Sequence, residues 1–541
     1  MTKKWTGLLV STGLALALLS AAAAPAKVKT GRSVVRTVPL PAGLELESGT
    51  YTPSGKLLVT YRNGDGGDPR NIRLDVMNDD GSAAHTIFKG RVPDRPKDNG
   101  IRFMVFADDK RVMLGDFVLE CTKPLANCDD ARLVPLTYPV EIADGEHIGH
   151  RWSEPIIAPD NFHYSWTTLL ADYSALVLTG RLERRADDYR IADVRYIGTN
   201  AIFRPDPDHA DGVLPEPVRG GEVKQYVRGG AAISMAGALD TVLANSTTID
   251  LASGRIEATT TGPGYTETTI FSPDERLGMT MTTGFSPETD LAIFGLIPRP
   301  HPLSLQVGLN MFAYTYGVTG VRAGRAGNVG PALIDLAASR ASASYRGINL
   351  AKDNGWTFLS PMSWHPGGRR ATWPEIARGG STRRLRNLEL PQYRPGPIIK
   401  TVQTPPLGSY ASADLNAIPS MMTRGRAIDV KVYGKISGNI AYRRSAEVIE
   451  KIYDNYSDDG QSVWSGRETT IINPRGNSRY TADLTLKGPK PGRMHLVATF
   501  GPISAPDHSR LIFDLDSSGQ PQTQGYAEYA GTKRDLFQMA K

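Results

Sequence analysis

Short apolar runs, each led in by a turn of Pro, Gly, Asp or Ser, recur along the first 390 residues. Residues 51–62 read Tyr-Thr-Pro-Ser-Gly-Lys-Leu-Leu-Val-Thr-Tyr-Arg, a turn that launches an apolar, β-branched strand. Residues 72–88 place two strands around Asn78-Asp79-Asp80-Gly81-Ser82, a hairpin turn. The turn-then-strand unit returns at 105–114, 157–166, 270–281 and 362–373, and 247–261 reads strand, turn, strand around Ala252-Ser253-Gly254. Each unit is the start of a small antiparallel meander. One such sheet cannot bury both of its faces, but several fanned around an axis can, with the aromatic or Ser-Pro residues ahead of each turn packing on the next sheet. The expected fold is all-β: a β-propeller of about six or seven blades. The units are unevenly spaced, which implies long insertions, such as 181–228 and 297–350.

Residues 390–425 are rich in Pro, Gly and Ser and read as a linker or a long wrapping segment. Beyond them the apolar positions alternate at 427–433, 446–453, 480–486 and 494–500, with Pro489-Lys490-Pro491-Gly492 as a turn. Alternation implies one buried and one wet face, hence a smaller C-terminal antiparallel β domain rather than one more blade. The resulting division is 1–26 signal peptide, 27–390 propeller with insertions, 391–424 linker and 425–541 C-terminal β domain.

The turns carry a resemblance. Phe271-Ser272-Pro273-Asp274 and Val76-Met77-Asn78-Asp79-Asp80-Gly81-Ser82 resemble the two turn elements of the WD-like propeller repeat of the TolB family, with Tyr51–Lys56 and Trp364–Arg369 as degenerate copies. The resemblance spans roughly residues 45–390 and implies a propeller. The matching residues are turn formers, so it implies fold more than function. TolB proteins carry an α/β domain ahead of the propeller, and about twenty residues here leave no room for one.

Lys3 and Lys4, the apolar run from Leu8 to Leu19 and the small residues Ala21 to Ala24 have the layout of a secretory signal peptide, with cleavage after Ala24 or Ala26. The run is short for a membrane anchor, and no later segment reaches that length. A periplasmic or secreted bacterial protein with no integral membrane segment after cleavage is expected. There are two cysteines, Cys121 and Cys128, and in an oxidising compartment this close pair in a turn-prone stretch reads as a structural disulfide. The net charge of +6 comes from 62 basic and 56 acidic residues well interspersed, which points to a solvated surface and not to nucleic acid. The cluster Arg369, Arg370, Arg378, Arg383, Arg384 and Arg386 has no aromatic interleaving and reads as an exposed loop.

Catalytic signatures are sparse. Ser234, in Ala232-Ile233-Ser234-Met235-Ala236, has alanines where a nucleophile elbow needs glycines. Glu146, His147 and His150 form a tight group in a loop without an evident third metal ligand, and His163 and His365 sit at strand or turn positions. Asp206, Asp208 and Asp211, around His209, make an acidic segment like a calcium loop, but Pro207 and the spacing depart from that pattern. Glu154 near Trp152 and Glu375 near Trp373 pair acids with aromatics, as sugar sites do. The expected function is an exported module that binds a protein or peptide partner or scaffolds the envelope, without a cofactor unless calcium. The alternative is a propeller hydrolase or lyase using Glu146, His147, His150, His163 or His365 in the central channel.

Overall fold

The computed structural model describes residues 28–62, 68–93, 101, 103–143, 154–169, 175–198, 203–215, 221–237, 245–262, 264–285, 329–419, 427–445, 447–473, 476–501 and 511–536. The fold is all-β, and the described residues of its main body form a propeller of six blades.

Blade 1 is the meander Glu45–Tyr51, Leu57–Arg62, Asn71–Met77 and His85–Arg91. Blade 2 is Phe103–Val105, Arg111–Leu114, Phe117–Glu120 and Arg132–Thr137. Blade 3 is Ile156–Ile157, His163–Leu169, Ala175–Arg184 and Tyr189–Gly198. The outer strands of blades 2 and 3 join in a short parallel pairing, Tyr189 with Leu136 and Arg190 with Thr137. Blade 4 is Glu222–Val227, Ala232–Gly237, Asn245–Asp250 and Ile256–Ala258. Blade 5 is Thr266–Phe271, Leu277–Thr282, Gly330–Asp335 and Ile348–Asn349.

Blade 6 closes the ring with both ends of the propeller segment. Trp356–Phe358, Ser363–Trp364, Arg370–Ala377 and Arg383–Glu389 supply its inner strands. The outermost strand is Val34–Thr37 from the N-terminal side, antiparallel to Arg383–Glu389 with Val35 opposite Leu388.

The six turns between first and second strands ring the axis on one face, and each touches the next. Ser54 bonds Asp109, and the Asp108 N–H donates to Asn161 Oδ1 at 3.0 Å. Gly230 lies against Pro159, and Gly368 against Pro273. Arg228 N–H donates to Glu275, and the Tyr51 ring meets His365 edge-on at 5.0 Å. The residues ahead of the turns pack between blades as expected: Trp364 Nε1 donates to Ile270 O at 2.9 Å.

The stretches expected as insertions contain blade strands, so the interruptions are shorter. Between blades 3 and 4 stands one hairpin, Phe203–Pro205 with Val213–Pro215. Ala232–Gly237, which holds Ser234, is the wholly buried second strand of blade 4.

Residues 391–412 form a strap over the turn face. Tyr393 Oη and Gly396 N–H donate to Asp274 Oδ2 at 2.6 and 2.8 Å. Ile399 N–H reaches Pro273 O and Val402 N–H reaches Gly229 O, each at 2.9 Å. Thr404 N–H reaches Asp160 Oδ2 at 3.0 Å, and Tyr410 Oη reaches Leu251 O at 2.8 Å. The strap then pairs Ser412 with Tyr196, on the outer edge of blade 3, and buries Ile418 in the core around Trp166.

The chain after the strap forms one eight-stranded antiparallel meander in sequence order, from Ile428–Tyr433 to Thr532–Asp535. The alternation is strict in Ser478–Lys487, and its inward side chains, Tyr480, Leu484 and Leu486 among them, share a separate core.

Candidate functional site

The first strands of all six blades wall an axial cavity of about 420 Å³. Its two halves differ. At the turn end Tyr51, Val105, Ile156, Phe271 and Trp364 line the wall together with Ser272 and Glu275, and the strap lays Ile398, Ile399 and Thr401 across that mouth. At the other end, where the first strands begin, lie Glu154 and Lys224.

Lys224 is almost fully buried. Its ammonium meets Glu222 Oε2 at 2.8 Å and Glu267 Oε1 at 3.1 Å. Burial alone would lower this lysine, but Glu222, Glu154 and Glu267 outweigh it and hold the ammonium above the usual lysine range. Tyr265 Oη donates to the other oxygen of Glu267 at 3.1 Å. Gln225 stitches blade 4 to blade 5 by accepting from Phe271 N–H at 2.7 Å. Burial pushes the Glu275 carboxyl up against the N–H and charge of Arg228. Ser272 and Ser363 on the wall are occupied, Ser272 donating to Asp274 at 2.6 Å and Ser363 accepting from Tyr51 N–H at 3.0 Å. Ser48 is 3% exposed; its hydroxyl, on the same wall, has no hydrogen-bond partner among the described residues.

No family model matches the chain, and no curated protein matches it. Among solved structures it is similar to a putative TolB from Agrobacterium tumefaciens, at 9% identity and a TM-score of 0.31, over 64% of this chain and 85% of that one. TolB from Acinetobacter baumannii gives 10% and 0.25, over 65% of each chain. The β-propeller domain of the Trilobed protease from Pyrococcus furiosus gives 7% and 0.28, over 81% of this chain and 97% of that one. The propeller stands on the strand pairing of the described residues itself.

Glu146, His147 and His150 lie outside the described residues. In the propeller His163 and His365 belong to the turn face. His163 Nδ1 is 2.7 Å from Asp160 Oδ2, in the turn that also holds the strap. His365 faces donors with both ring nitrogens, Gly367 N–H at 2.9 Å and Arg370 Nη2 at 2.7 Å. Neither lines the cavity. Of the acids near aromatics, Glu154 lines it, whereas Glu375 is buried against Trp373 Nε1 at 2.9 Å and Arg384 Nε at 2.8 Å.

The carboxylates at Asp206, Asp208 and Asp211 point to different partners. Asp206 accepts from Asp208 N–H and from His209 Nδ1, both at 2.9 Å. Asp211 reaches the C-terminal sheet, accepting from Lys431 Nζ at 2.7 Å and Tyr433 Oη at 2.8 Å. Cys121 and Cys128 form the expected disulfide. Among the described residues they and Asp130 make the one grouping with metal-ligand proximity, and a disulfide offers no thiolate.

The arginine cluster is not an exposed loop. Arg370, Arg383, Arg384 and Arg386 sit on the two central strands of blade 6. They bind Asp79, Glu47 O, Glu375 and Thr37 respectively. Charge count alone cannot separate a solvated run from strand positions tied to neighbouring blades.

Proposed function

We propose that this protein is an exported binding module whose propeller takes a segment of a partner protein or peptide into the axial cavity. The observation that carries the reading is the cavity itself, about 420 Å³ walled by six blades and crossed by the strap at one mouth. That volume lies in the range of about 300–1,000 Å³ used by specific ligand sites. The wall is built from strand backbone cross-braced between blades, so little ordering is needed on binding. The C-terminal sheet offers a second surface for envelope scaffolding.

The N-terminal Lys-apolar-Ala layout supports export. The Cys121–Cys128 disulfide fits an oxidising compartment. Among the described residues no helix is long and apolar enough to cross a membrane.

Thr50→Trp, on the cavity wall, fills the space without touching the outer surface. Immobilised wild-type protein should retain a stoichiometric partner from envelope extract, and the variant, with an unchanged melting temperature, should release it. Equal retention by both would refute the reading.

A further inference from the structure

The strap, residues 391–412, carries two basic side chains, Arg394 and Lys400, and no acidic one. Tyr393, Thr404 and Leu407 are buried and seat it on the propeller. Between them, three of the ten large apolar side chains left exposed among the described residues fall within five positions: Ile398 at 62%, Ile399 at 40% and Val402 at 45%. Ile399 and Thr401 line the axial cavity, whereas Lys400 and Val402, which alternate with them, do not. Ile398 touches the cavity mouth and still leaves most of its surface to water. The strap thus shows an outward row of Ile398, Lys400 and Val402. Hydrogen bonds from Gly396, Ile399, Val402 and Thr404 to the turns fix this row along its length, so little ordering is needed on binding.

Cations gather at the start of the row. Arg369 Nη2 and Arg394 Nη1 both donate to Pro391 O, which sets two guanidiniums side by side. Arg276 lies against Gly396. Arg276, Arg369, Arg394 and Lys400 are exposed, and none of the four forms an ion pair among the described residues. The carboxylates beneath the strap are already engaged. Asp274 accepts from Tyr393 and Gly396, and Asp160 from His163 and Thr404. Glu275 accepts from Arg228 N–H, with the Arg340 charge acting on it as well.

From this geometry we infer that the outer side of the strap docks an extended segment of a partner protein in which carboxylates alternate with aliphatic side chains. The aliphatic side chains cover Ile398 and Val402, and the carboxylates meet the Arg369–Arg394 pair and Lys400. Paired guanidiniums held at a fixed spacing suit carboxylates in both geometry and charge. A lipid surface fits less well. The strap has no tryptophan, and both of its tyrosines turn inward, Tyr393 to Asp274 and Tyr410 to Leu251 O, which leaves no aromatic belt for a lipid interface. This surface is separate from the inside of the axial cavity, and the inference does not depend on what the cavity holds.

The test uses the full chain and three fluorescein-labelled nonapeptides that alternate Leu with Glu, Gln or Lys. Anisotropy should give the Glu peptide roughly tenfold tighter binding than the Gln peptide, the gain of a charge-assisted contact, and no binding of the Lys peptide. Arg394→Gln with Lys400→Gln, both at exposed positions, should erase the Glu-over-Gln preference at an unchanged melting temperature. Ile398→Ser with Val402→Ser should weaken the Glu and Gln peptides alike. Thr50→Trp, which fills the cavity, should leave Glu-peptide binding intact, and vesicles of phosphatidylglycerol and phosphatidylcholine should not bind. Equal affinity for the Glu and Gln peptides, or no binding of any peptide, would overturn the inference. So would a Glu peptide that the charge variant keeps and Thr50→Trp loses, a result that would leave cavity binding standing. Vesicle binding that the charge variant loses would overturn it in favour of a membrane surface.

Discussion

His209 lies flat on Tyr433, with ring centroids 3.8 Å apart and planes 6° from parallel. The first residue belongs to the hairpin between blades 3 and 4, the second to the opening strand of the C-terminal sheet. The same hairpin turn sends Asp211 to Lys431 and to Tyr433 Oη, and Gly212 pairs with Lys431 through the backbone. The acidic segment that resembled a calcium loop thus fastens the two bodies together.

Asp211→Ala should therefore loosen the C-terminal sheet from the propeller without unfolding either. The Lys431 and Tyr433 hydrogen bonds hold the Asp211 carboxyl below its ordinary range. A depressed carboxyl stabilises above the unfolded value of about 3.9 and loses that contribution as pH falls through the folded value. Docking should hold at neutral pH and weaken below about pH 4. Limited proteolysis should cut Asp211→Ala faster between the bodies at pH 7, with wild type matching it only in acid or high salt.

The strap depends on two turn carboxylates. Burial pulls Asp160 upward, but hydrogen bonds from His163, Phe162 and Thr404 outweigh it and hold the carboxyl well below the usual range. Asp274 is lowered in the same way by Ser272, Tyr393 and Gly396. Asp274→Asn retains the shape but weakens the charge-assisted bonds to Tyr393 and Gly396, and should cost about 1–3 kcal/mol. Hydrogen exchange at Gly396 and Ile399 should speed up in the variant while blade 2 amides stay protected. Unchanged exchange would mean that the apolar contacts alone seat the strap.

Five of the six axial turns are legible in the sequence because Pro or Asp marks them. The sixth, at Arg228-Gly229-Gly230, has neither Pro nor Asp. Its left-handed backbone, with φ of 55°, 67° and 110°, is carried by an arginine and two glycines. Without that mark the start of blade 4 reads as part of the 181–228 insertion. The C-terminal sheet was legible because its alternation is strict. The axial cavity was not: one first strand from each blade builds it, so its residues lie tens of positions apart. Glu154 and Lys224, both on its wall, come from blades 3 and 4, and the nearness of Glu154 to Trp152 in the sequence is unrelated to that place.

Ring closure rests on Val34–Thr37. Removing residues 28–37 would strip Val28 and Val35 from the blade 5–6 core and expose Arg383–Glu389 as an edge. Partial burial of two valines is worth about 2–3 kcal/mol, and a bare edge invites pairing with other chains. The truncated protein should unfold at lower urea concentration and should form oligomers on a sizing column. A monomer of full stability would show that the other blades hold the ring without the closing strand.

The Cys121–Cys128 loop packs Cys128 fully buried in the blade 1–2 core, and His85 Nε2 lies 2.7 Å from Cys128 O. Closing so short a loop is worth about 2–3 kcal/mol in the chain-entropy model. Cys121→Ser with Cys128→Ser should lower stability by that amount, and dithiothreitol should destabilise wild type but not the double variant.

His365 offers the clearest pH signature. Burial, with Arg370 beside it, pushes the imidazole down to about 4, against the smaller opposing pull of Asp79. Both ring nitrogens already face donors, so a second ring proton has no acceptor. The unfolded chain takes up that proton near pH 6.5 and the folded chain does not. The neutral-histidine contribution is therefore complete above about 6.5 and shrinks as pH falls toward the folded value. Since His365 packs on Tyr51, the effect falls on the blade 6–blade 1 junction. Melting temperature should decline between pH 6.5 and 4.5 in wild type, and His365→Gln should flatten that limb while lowering stability at pH 8. An unchanged slope in His365→Gln would assign the acid sensitivity to other groups, and a binding or activity profile that follows the same limb would restore His365 to the functional site.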